Sequence, residues 1–448
     1  MSVVQHDQPG PLADVSWTSR ITATLYNGAT FALKVELVDA FAYQWQENFS
    51  QPGVGSLLLS NTDPTLSQVA FGDLVTFRID GTPAFTFVVE KLVRQAVAPG
   101  EEHDQTTEVS GRGALAQLQK AVVYLERNRA DWYPYADERT FSFASIFYEM
   151  GPEWVSPISF GQQGTTGQTG WQNEDGTDGP HGWPASGPHF LWAPGSTATS
   201  APIGTCYFRG VAVFSDDRLT QVFATADEFF RLYIDGIPML AEEAAMGAWR
   251  KTYSVQVAMK GIPGGVAGLA GHEYAFRAQN VSIGDPGDAA NAAMVLMAQH
   301  VLDPATNQPG EVLFHTNDDP TMWWVLPYPA EPPGWTVGAV MLQLLGEAGE
   351  TDSPTWFGRG CRLGLTPTFT KTHDSDGVPW PVVTDITVPV GADYLTVFLT
   401  LARSLCDLAV SGDGHELHAY VYGTRGGPSG VTLTPGVNLV QLTHSGEW

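Results

Sequence analysis

The chain has 448 residues, of which 43% are hydrophobic, and its 48 acidic against 22 basic residues give a formal net charge of −26 at pH 7. Such an acidic surface repels phosphate backbones and disfavours specific nucleic-acid binding. No apolar run reaches the ~18 residues of a membrane-spanning helix, and the N-terminal segment lacks the basic and apolar regions of a signal peptide. We therefore expect a chain made in a cytoplasm that does not insert into membranes.

Cysteine, glycine and proline contents narrow the fold class. The three cysteines, Cys206, Cys361 and Cys406, are too few and too scattered for a disulfide framework or a zinc site. They are predicted to be buried, small apolar residues. With 48 glycines, 31 prolines and only 16% charged residues, the chain has the composition of many short strands joined by turns. A mainly β protein with a few short helices is the expectation.

The first part of the chain, residues 18–95, contains consecutive strand patterns separated by Asn-Gly, Thr-Asp-Pro and Asp-Gly-Thr-Pro turns. Each of these turn sequences suits a chain reversal. One more strand pattern, TTEVSGRG, is followed by residues 114–125, where Leu115 and Leu118 share one side of a predicted short helix. Residues 1–140 are therefore predicted to form a compact β-barrel or small sandwich with a helix against it.

The middle part, residues 141–305, is predicted to form an inserted β-sandwich. Its long loop, residues 159–195, contains three tryptophans, Trp171, Trp183 and Trp192. Large aromatics are unusual in a featureless linker, so the loop is expected to contribute structure or function. The stretch TADEFFRLYIDG (225–236) alternates apolar and polar residues and ends on Asp-Gly, as a strand entering a hairpin does. A strand here places Phe230, Leu232 and Ile234 on one face and Phe229, Arg231 and Tyr233 on the other, and one of the two faces must be covered by the partner sheet or by a neighbour.

The last part, residues 306–448, is predicted to form a β-rich domain that also contains helices. Apolar residues at helical spacing predict a helix from about residue 337 to 348 with one buried face. The residues of this apolar stripe are Val337, Val340, Met341, Leu344 and Leu345. A second helix is expected over residues 392–410. Residues 289–302 fit either a helix or a strand, and continuation of the protein beyond Trp448 stays open.

Sequence motifs give little support for catalysis. His415-Glu416-Leu417-His418 has the wrong spacing for a zinc-protease motif. The acidic pairs Asp216-Asp217 and Asp318-Asp319 adjoin turns, where aspartate commonly bonds its own backbone, and two acids fall short of calcium's six to eight oxygens. We predict no catalytic, cofactor or metal-binding residues, although so acidic a chain leaves a glycosidase carboxylate pair open.

Several segments at both ends of the chain suggest a family. They include SLLLSNTDP (56–64), GDLVTFRIDG (72–81), SGRG (110–113), DPTMWWVLPYP (319–329) and PPGWTVGAVMLQLLGEA (332–348). Over residues 15–150 and 310–448, the chain resembles minor tail or baseplate-hub proteins of siphoviruses that infect actinobacteria.

The resemblance to tail-hub proteins implies split β-barrel hub domains that assemble as a homotrimer at the tail tip. Such a ring surrounds the channel through which DNA and the tape-measure protein leave the virion, so the DNA passes without specific binding. The implied partners are the distal tail protein, the tape-measure protein and tail fibres. An acidic wall suits that channel, because it does not retain phosphates.

The middle segment resembles the galactose-binding-like jelly-roll modules that accompany bacterial rhamnosidase catalytic domains. The resemblance is carried by HFLWAPG, CYFRGVAVF, TADEFFRLYIDGIPM and AFRAQN, together with Trp249. In sugar-binding members, acids at the sandwich rim and an asparagine contact sugar hydroxyls, in some through calcium. This implies Asp227, Glu228, Trp249 and Asn280 as candidate sugar contacts, with Asn280 facing Asp227, and it leaves calcium as the only candidate cofactor.

Three functions follow, and the first is the leading one. The first is a structural, non-enzymatic virion protein whose jelly roll projects outward to a host surface or braces neighbouring tail proteins. The second is a lectin that binds a host cell-wall glycan, with Trp183 or Trp249 as a stacking platform. The third is a cell-wall hydrolase, for which the sequence offers no clear constellation.

Overall fold

The computed structural model describes residues 20–422, except for 49, 96–104, 125–136, 146–147, 164–182, 184–186, 198, 215, 245–250, 260, 262–270, 282–292, 318, 320, 350–362 and 384. The described residues belong to two compact units. The split unit draws on Met1–Lys120, Arg362–Pro381 and Leu395–Trp448, and the sandwich unit on Ala121–Cys361 and Val382–Tyr394. Early and late parts of the chain therefore contribute to the same unit.

The split unit begins with eight strands, β1 (Ile21–Tyr26), β2 (Leu33–Glu36), β3 (Phe41–Asn48), β4 (Gln51–Ser60), β5 (Leu74–Ile79), β6 (Thr82–Val88), β7 (Lys91–Gln95) and β8 (Thr106–Arg112). They form two four-stranded antiparallel sheets, in the orders β2-β1-β5-β6 and β3-β4-β8-β7. Alternate residues of both sheets supply one core, which contains Leu25, Leu57, Phe77, Phe87 and Val109.

The turns of this unit follow the sequence signals. Asp80 and Gly81 both have positive φ, 50° and 85°, in the hairpin between β5 and β6. Two-residue hairpins favour Asp-Gly because both positions need this left-handed backbone. Asp63 caps a 3-10 helix, Pro64–Gln68, by accepting a 2.7 Å hydrogen bond from the Thr65 amide. The predicted turns at these positions are confirmed.

Two predictions for residues 1–140 need correction. The strands lie in two open sheets linked by an isolated bridge between Phe87 and Gly113, and the described residues contain no closed barrel. The helix expected over 114–125 is a 3-10 helix, Ala114–Lys120. It stops there because Val122 instead forms a bridge with Asp393, so backbone pairing competes with helix formation.

The sandwich unit contains twelve strands up to residue 327, β9 (Glu138–Phe141), β10 (Ile158–Gln162), β11 (His189–Trp192), β12 (Gly204–Ala212), β13 (Arg218–Ala226), β14 (Phe229–Ile234), β15 (Ile237–Glu242), β16 (Tyr253–Met259), β17 (His272–Asn280), β18 (Val295–Leu302), β19 (Pro309–His315) and β20 (Trp323–Pro327). One sheet has the order β15-β14-β17-β12-β20; the other has the order β10-β11-β18-β13-β16, with β19 also on β18.

The two sheets share one large apolar core, which contains Phe208, Phe230, Leu232, Phe276, Met297 and Trp323. Beyond residue 305, β19 pairs with β18 and β20 pairs with β12. The sandwich therefore extends past the expected domain boundary at residue 305. The sequence pattern of residues 289–302 is compatible with either a helix or a strand, and in the structure Val295–Leu302 of this segment form β18. It lies in the interior of its sheet and is buried on both faces near its start, so apolar periodicity could not decide between the two.

The remaining elements are β21 (Trp335–Thr336), α1 (Val337–Gly349), β22 (Thr366–Pro367), β23 (Val382–Val383), β24 (Ile386–Pro389), α2 (Tyr394–Ala402), β25 (Cys406–Val410) and β26 (Glu416–Val421). All five residues of the stripe predicted for α1 are buried. The helix expected over 392–410 is wrong in its second half, where β25 pairs with β26. Cys406 and Leu408 are buried and alternate with less buried neighbours, a period of two that suits a strand.

The mainly β class predicted from composition is confirmed by these sheets. In the part of the chain that the structure describes, no helix is long and apolar enough to cross a membrane.

Candidate functional site

The stretch at residues 225–236 leads from β13 into the β14–β15 hairpin. The predicted alternation is confirmed: Phe230, Leu232 and Ile234 form the face buried in the sandwich core, while the residues between them are half-buried on the outer face. Asp235 and Gly236 have positive φ values of 49° and 74°, which fits the expected two-residue turn.

The two rim acids are almost entirely covered by protein. Asp227 and Glu228 are each only 5% exposed, in the short connection between β13 and β14. The Asp227 amide donates to the Met294 carbonyl (2.9 Å), and the Glu228 amide donates to the Gln279 carbonyl (3.0 Å). This connection is thus held between the two sheets, and it offers little carboxylate surface to a ligand.

Asn280 lies at the same end of the sandwich, because Phe229 pairs with Gln279. Its side chain is fully buried, and its amide nitrogen donates to the carbonyls of Ala201 (3.3 Å) and Pro202 (2.9 Å). The side chain therefore holds an adjacent loop. Trp249, the fourth candidate sugar contact, lies outside the described residues.

A buried polar chain crosses the interior of the sandwich, and sequence reasoning missed it. His272 Nδ1 lies 2.7 Å from an Asp235 carboxylate oxygen, and both side chains are buried. Next to them the Tyr274 hydroxyl donates to Gln299, whose amide donates to the Thr220 hydroxyl (2.8 Å). Without access to solvent these groups cannot meet a substrate, so their role is to satisfy one another inside the core.

Arg209 is a buried cation on the outer face of the five-stranded sheet. Its guanidinium donates to the carbonyls of Tyr148 (2.7 Å) and Ser145 (3.2 Å) and forms an ion pair with Glu273. A buried charge needs such compensation, because an uncompensated one costs several kcal/mol. Arg209 thus fixes the segment near Tyr148 against the sheet.

Further along the same face lies the most exposed cluster of functional groups in this sheet. We call it the outer-face cluster, and its members are Tyr207, Arg231, Tyr233, Glu243, Arg277 and Asp385. Arg231 and Arg277 are direct cross-strand partners on β14 and β17, and their side chains are 37% and 44% exposed. Like charges in that position repel. Glu243 offsets the repulsion by pairing with both, at 2.5 Å from Arg231 and 3.3 Å from Arg277.

Aromatic rings and a further acid complete the outer-face cluster. Tyr207 and Tyr233 pack edge-on against the Phe143 ring, with centroid distances of 4.8 and 5.6 Å. Desolvation beside the sheet raises the pKa of Asp385, while the charges of Arg277 and Arg231 oppose that rise. The cluster is therefore an amphipathic surface of aromatic rings and paired charges.

The other residues considered from the sequence have structural partners. Asp319 accepts a hydrogen bond from the Thr321 amide (2.8 Å), two residues further on, which supports turn chemistry there. Asp217 instead accepts from the amide of Gly261 (2.9 Å), 44 residues away, and Asp318 lies outside the described residues. His415 packs against the Phe31 ring, and His418 Nδ1 lies 2.8 Å from the Thr368 hydroxyl. Among the described residues, no group of three or more His, Cys, Asp or Glu side chains could hold a metal ion.

No family model and no curated protein matches this chain. Solved structures that match include a Streptomyces avermitilis α-L-rhamnosidase complexed with L-rhamnose, at 10% identity and a TM-score of 0.25, covering 70% of this chain and 22% of that one. A Pleurotus ostreatus lectin in complex with GalNAc matches at 12% identity and a TM-score of 0.19, covering 58% of this chain and 60% of the lectin.

An anti-sigma factor domain-containing protein also matches, at 12% identity and a TM-score of 0.19, covering 45% of this chain and 50% of that protein. This chain thus spans less than two thirds of the length of each of these three structures. With TM-scores this low, the likenesses carry no argument about fold or function.

Proposed function

We propose that the chain is a structural, non-enzymatic component of a siphovirus tail tip, in which its split unit forms the hub and its sandwich unit contacts a neighbouring protein. The observation that carries this proposal is the division of the sequence between the two units. The early segments that resemble hub proteins, 56–64, 72–81 and 110–113, lie in the split unit, to which residues 395–448 also contribute, whereas the later segments 319–329 and 332–348 lie in the sandwich unit.

Direct contacts within the split unit join the early and late segments. The Ser50 amide donates to the Leu408 carbonyl, and the Leu408 amide donates to the Ser50 hydroxyl, each at 3.0 Å. The Thr86 hydroxyl donates to the Gly412 carbonyl, also at 3.0 Å. Such a unit tolerates a long insertion, because loop-closure entropy grows only slowly with loop length.

The outer-face cluster suits a contact with another protein. Tyrosine and arginine are enriched at protein interfaces, where they supply rigid apolar area and directed hydrogen bonds. Here two tyrosines and two partly exposed arginines share one sheet face. Glu243 pairs with both arginines, and their charges also act on Asp385, so two acids balance these two cations. In a chain with a net charge of −26, this balanced face repels an acidic neighbour, either a second copy or another tail protein, less than an unbalanced acidic face would.

In this proposal the hub is a homotrimer, its partners are the distal tail, tape-measure and tail-fibre proteins, and the chain is assembled in the host cytoplasm and stays in the virion. The acidic composition suits a channel that DNA passes without being retained. The rim residues do not favour the lectin alternative, because Asp227, Glu228 and Asn280 are buried and their neighbourhood is bonded internally.

The experiment is immunogold electron microscopy of the virus that encodes the chain, using antibodies raised against the purified protein. The proposal expects gold at the tail end distal to the capsid on intact particles. Label on the capsid, or a protein found only in lysates and never on particles, contradicts it.

A further inference from the structure

The split unit contains an open cavity of about 510 Å³, and none of the residues that line it was considered above as a sugar contact. Cavities of roughly 300–1,000 Å³ are the size in which proteins bind small molecules. Its walls come from β3, β4 and β6, from the start of the 3-10 helix at Ala114, and from β25 and β26. Early and late segments of the chain are thus both needed to form it.

The walls of this cavity are fixed by backbone contacts. The paired hydrogen bonds of Ser50 and Leu408 connect β25 to the turn between β3 and β4. At Gly412 a side chain would place its first carbon 2.5 Å from the Pro83 carbonyl oxygen, so the turn after β25 lies directly against β6. A site held this way loses little conformational entropy on binding a ligand.

Aromatic side chains provide the apolar part of the lining. The rings of His418 and Tyr420, two residues apart on β26, are nearly parallel (11°), with centroids 6.2 Å apart. Phe85 lines the cavity from β6. The His418 ring has a partner at both edges, because its Nδ1 lies 2.8 Å from the Thr368 hydroxyl and its Nε2 lies 3.5 Å from a Glu416 carboxylate oxygen.

The polar lining selects against anions. The described residues that line the cavity include the Glu47 carboxylate and the Gln51 amide, and none of them is a lysine or arginine. A phosphate or sulfate would therefore meet a like charge without a cation to pair with it. A carboxylate and an amide together provide both acceptors and donors for hydroxyl groups.

We infer that this cavity binds a neutral saccharide, with its hydroxyls at Glu47 and Gln51 and its C–H faces beside the rings of Phe85, His418 and Tyr420. Both kinds of contact are available in the one cavity: apolar rings for the carbon skeleton, and a few polar groups that fix orientation. The inference goes beyond the proposed function and does not depend on it, because it concerns a site in the split unit and requires neither a tail nor a trimer.

The test is isothermal titration of the full-length protein with glucose, galactose and N-acetylglucosamine, and separately with glucose 6-phosphate and choline. The expected result is saturable binding of at least one neutral sugar and none of glucose 6-phosphate. Glu47→Ala should weaken that binding at least about tenfold, the effect of losing one charge-assisted hydrogen bond. Glu36→Ala, at an exposed glutamate of β2 that does not line the cavity, is the matched control and should leave affinity unchanged.

Gln51→Ala provides a second, independent variant, and a thermal melt of each protein shows that it is folded. Three results would overturn the inference. They are the absence of saturable binding of all three neutral sugars, equal affinity in the wild-type and both cavity variants, and binding of choline in place of the sugars. The last result would assign the cavity to an organic cation.

Discussion

Arg139 and Glu347 form a bidentate ion pair in the interior of the sandwich unit, with two hydrogen bonds of 2.7 Å, although 208 residues separate them in the sequence. Arg139 also donates to the Tyr124 carbonyl (3.2 Å), and its guanidinium lies 4.5 Å from the centre of the Phe141 ring. The pair joins β9 to α1, which are distant in sequence. Sequence patterns gave no sign of it, because neither residue belongs to a motif.

We expect Glu347→Gln to lower the free energy of unfolding of the sandwich unit by about 3–5 kcal/mol, because it leaves the Arg139 guanidinium buried without a counter-charge. The double variant Arg139→Met, Glu347→Leu should recover most of that loss, since neither charge remains. Denaturant unfolding followed by tryptophan fluorescence measures both.

The control is Glu90→Gln, which breaks the exposed pair of Glu90 and Arg112, whose side chains are 33% and 37% accessible. Exposed pairs contribute about 0–1 kcal/mol, so this variant should unfold almost as the wild type does. Equal effects of Glu347→Gln and Glu90→Gln would contradict the account of the buried pair.

Asn280→Ala tests whether that residue serves structure or sugar binding. It removes the donor for the Ala201 and Pro202 carbonyls, and leaving buried acceptors unsatisfied costs about 1–3 kcal/mol. We expect a lower unfolding midpoint for the sandwich unit and unchanged saccharide titrations. Unchanged stability together with a loss of glycan affinity would restore Asn280 as a sugar contact.

Two glycines should respond in opposite directions to alanine substitution. At Gly210 the added carbon would lie 2.8 Å from the Trp323 ring, so Gly210→Ala overpacks the sandwich core at a cost of about 1–3 kcal/mol. At Gly346, in α1, nothing lies within 4 Å of that carbon. Gly346→Ala should therefore stabilise the protein by about 0.5–1 kcal/mol, because alanine favours helix. Thermal melts of the two variants decide this, and the same sign for both would refute the packing described around Trp323.

The buried thiols make stability depend on alkaline pH. Burial raises the pKa of Cys206 and of Cys406 from 9.0 to about 12. The folded state therefore holds these protons more tightly than the unfolded chain does. The resulting stability is fully present below pH 9 and is lost as pH rises from 9 towards 12.

Cys206→Ala should flatten the pH dependence of the unfolding free energy of the sandwich unit in that window, by about 1.4 kcal/mol per pH unit at most. Measurements of denaturant unfolding at pH 8, 9, 10 and 11 test this. Parallel curves for wild type and variant would show that the thiol ionises equally in both states.

Much of the strand and turn structure was predictable, because it depends on local chemistry. The Asp-Gly hairpins at 80–81 and 235–236 need a left-handed backbone, and the stripe of α1 follows the helical period. The predictions were wrong where distant pairing decides local structure. Residues 406–410 look helical in isolation, and they form a strand because β26 is available as a partner.

The candidate site was harder to predict, because burial is a property of the assembled sheets. The position of Asp227 and Asn280 at one end of the sandwich was anticipated, while their nearly complete burial was not. The outer-face cluster depends on the register that places Arg231 beside Arg277, and register cannot be read from either strand alone. The cavity of the split unit combines residues more than 300 positions apart, such as Thr86 and Leu408.

The mass of the protein in solution is the most direct test of whether this chain assembles as the proposed homotrimer. Multi-angle light scattering of the full-length protein across a range of concentrations is the measurement. We expect the mass of three chains, each of 48.3 kDa, or a mass that rises towards that of three chains as the concentration increases. A constant mass of one chain at every concentration, with and without the neighbouring tail proteins, would contradict it.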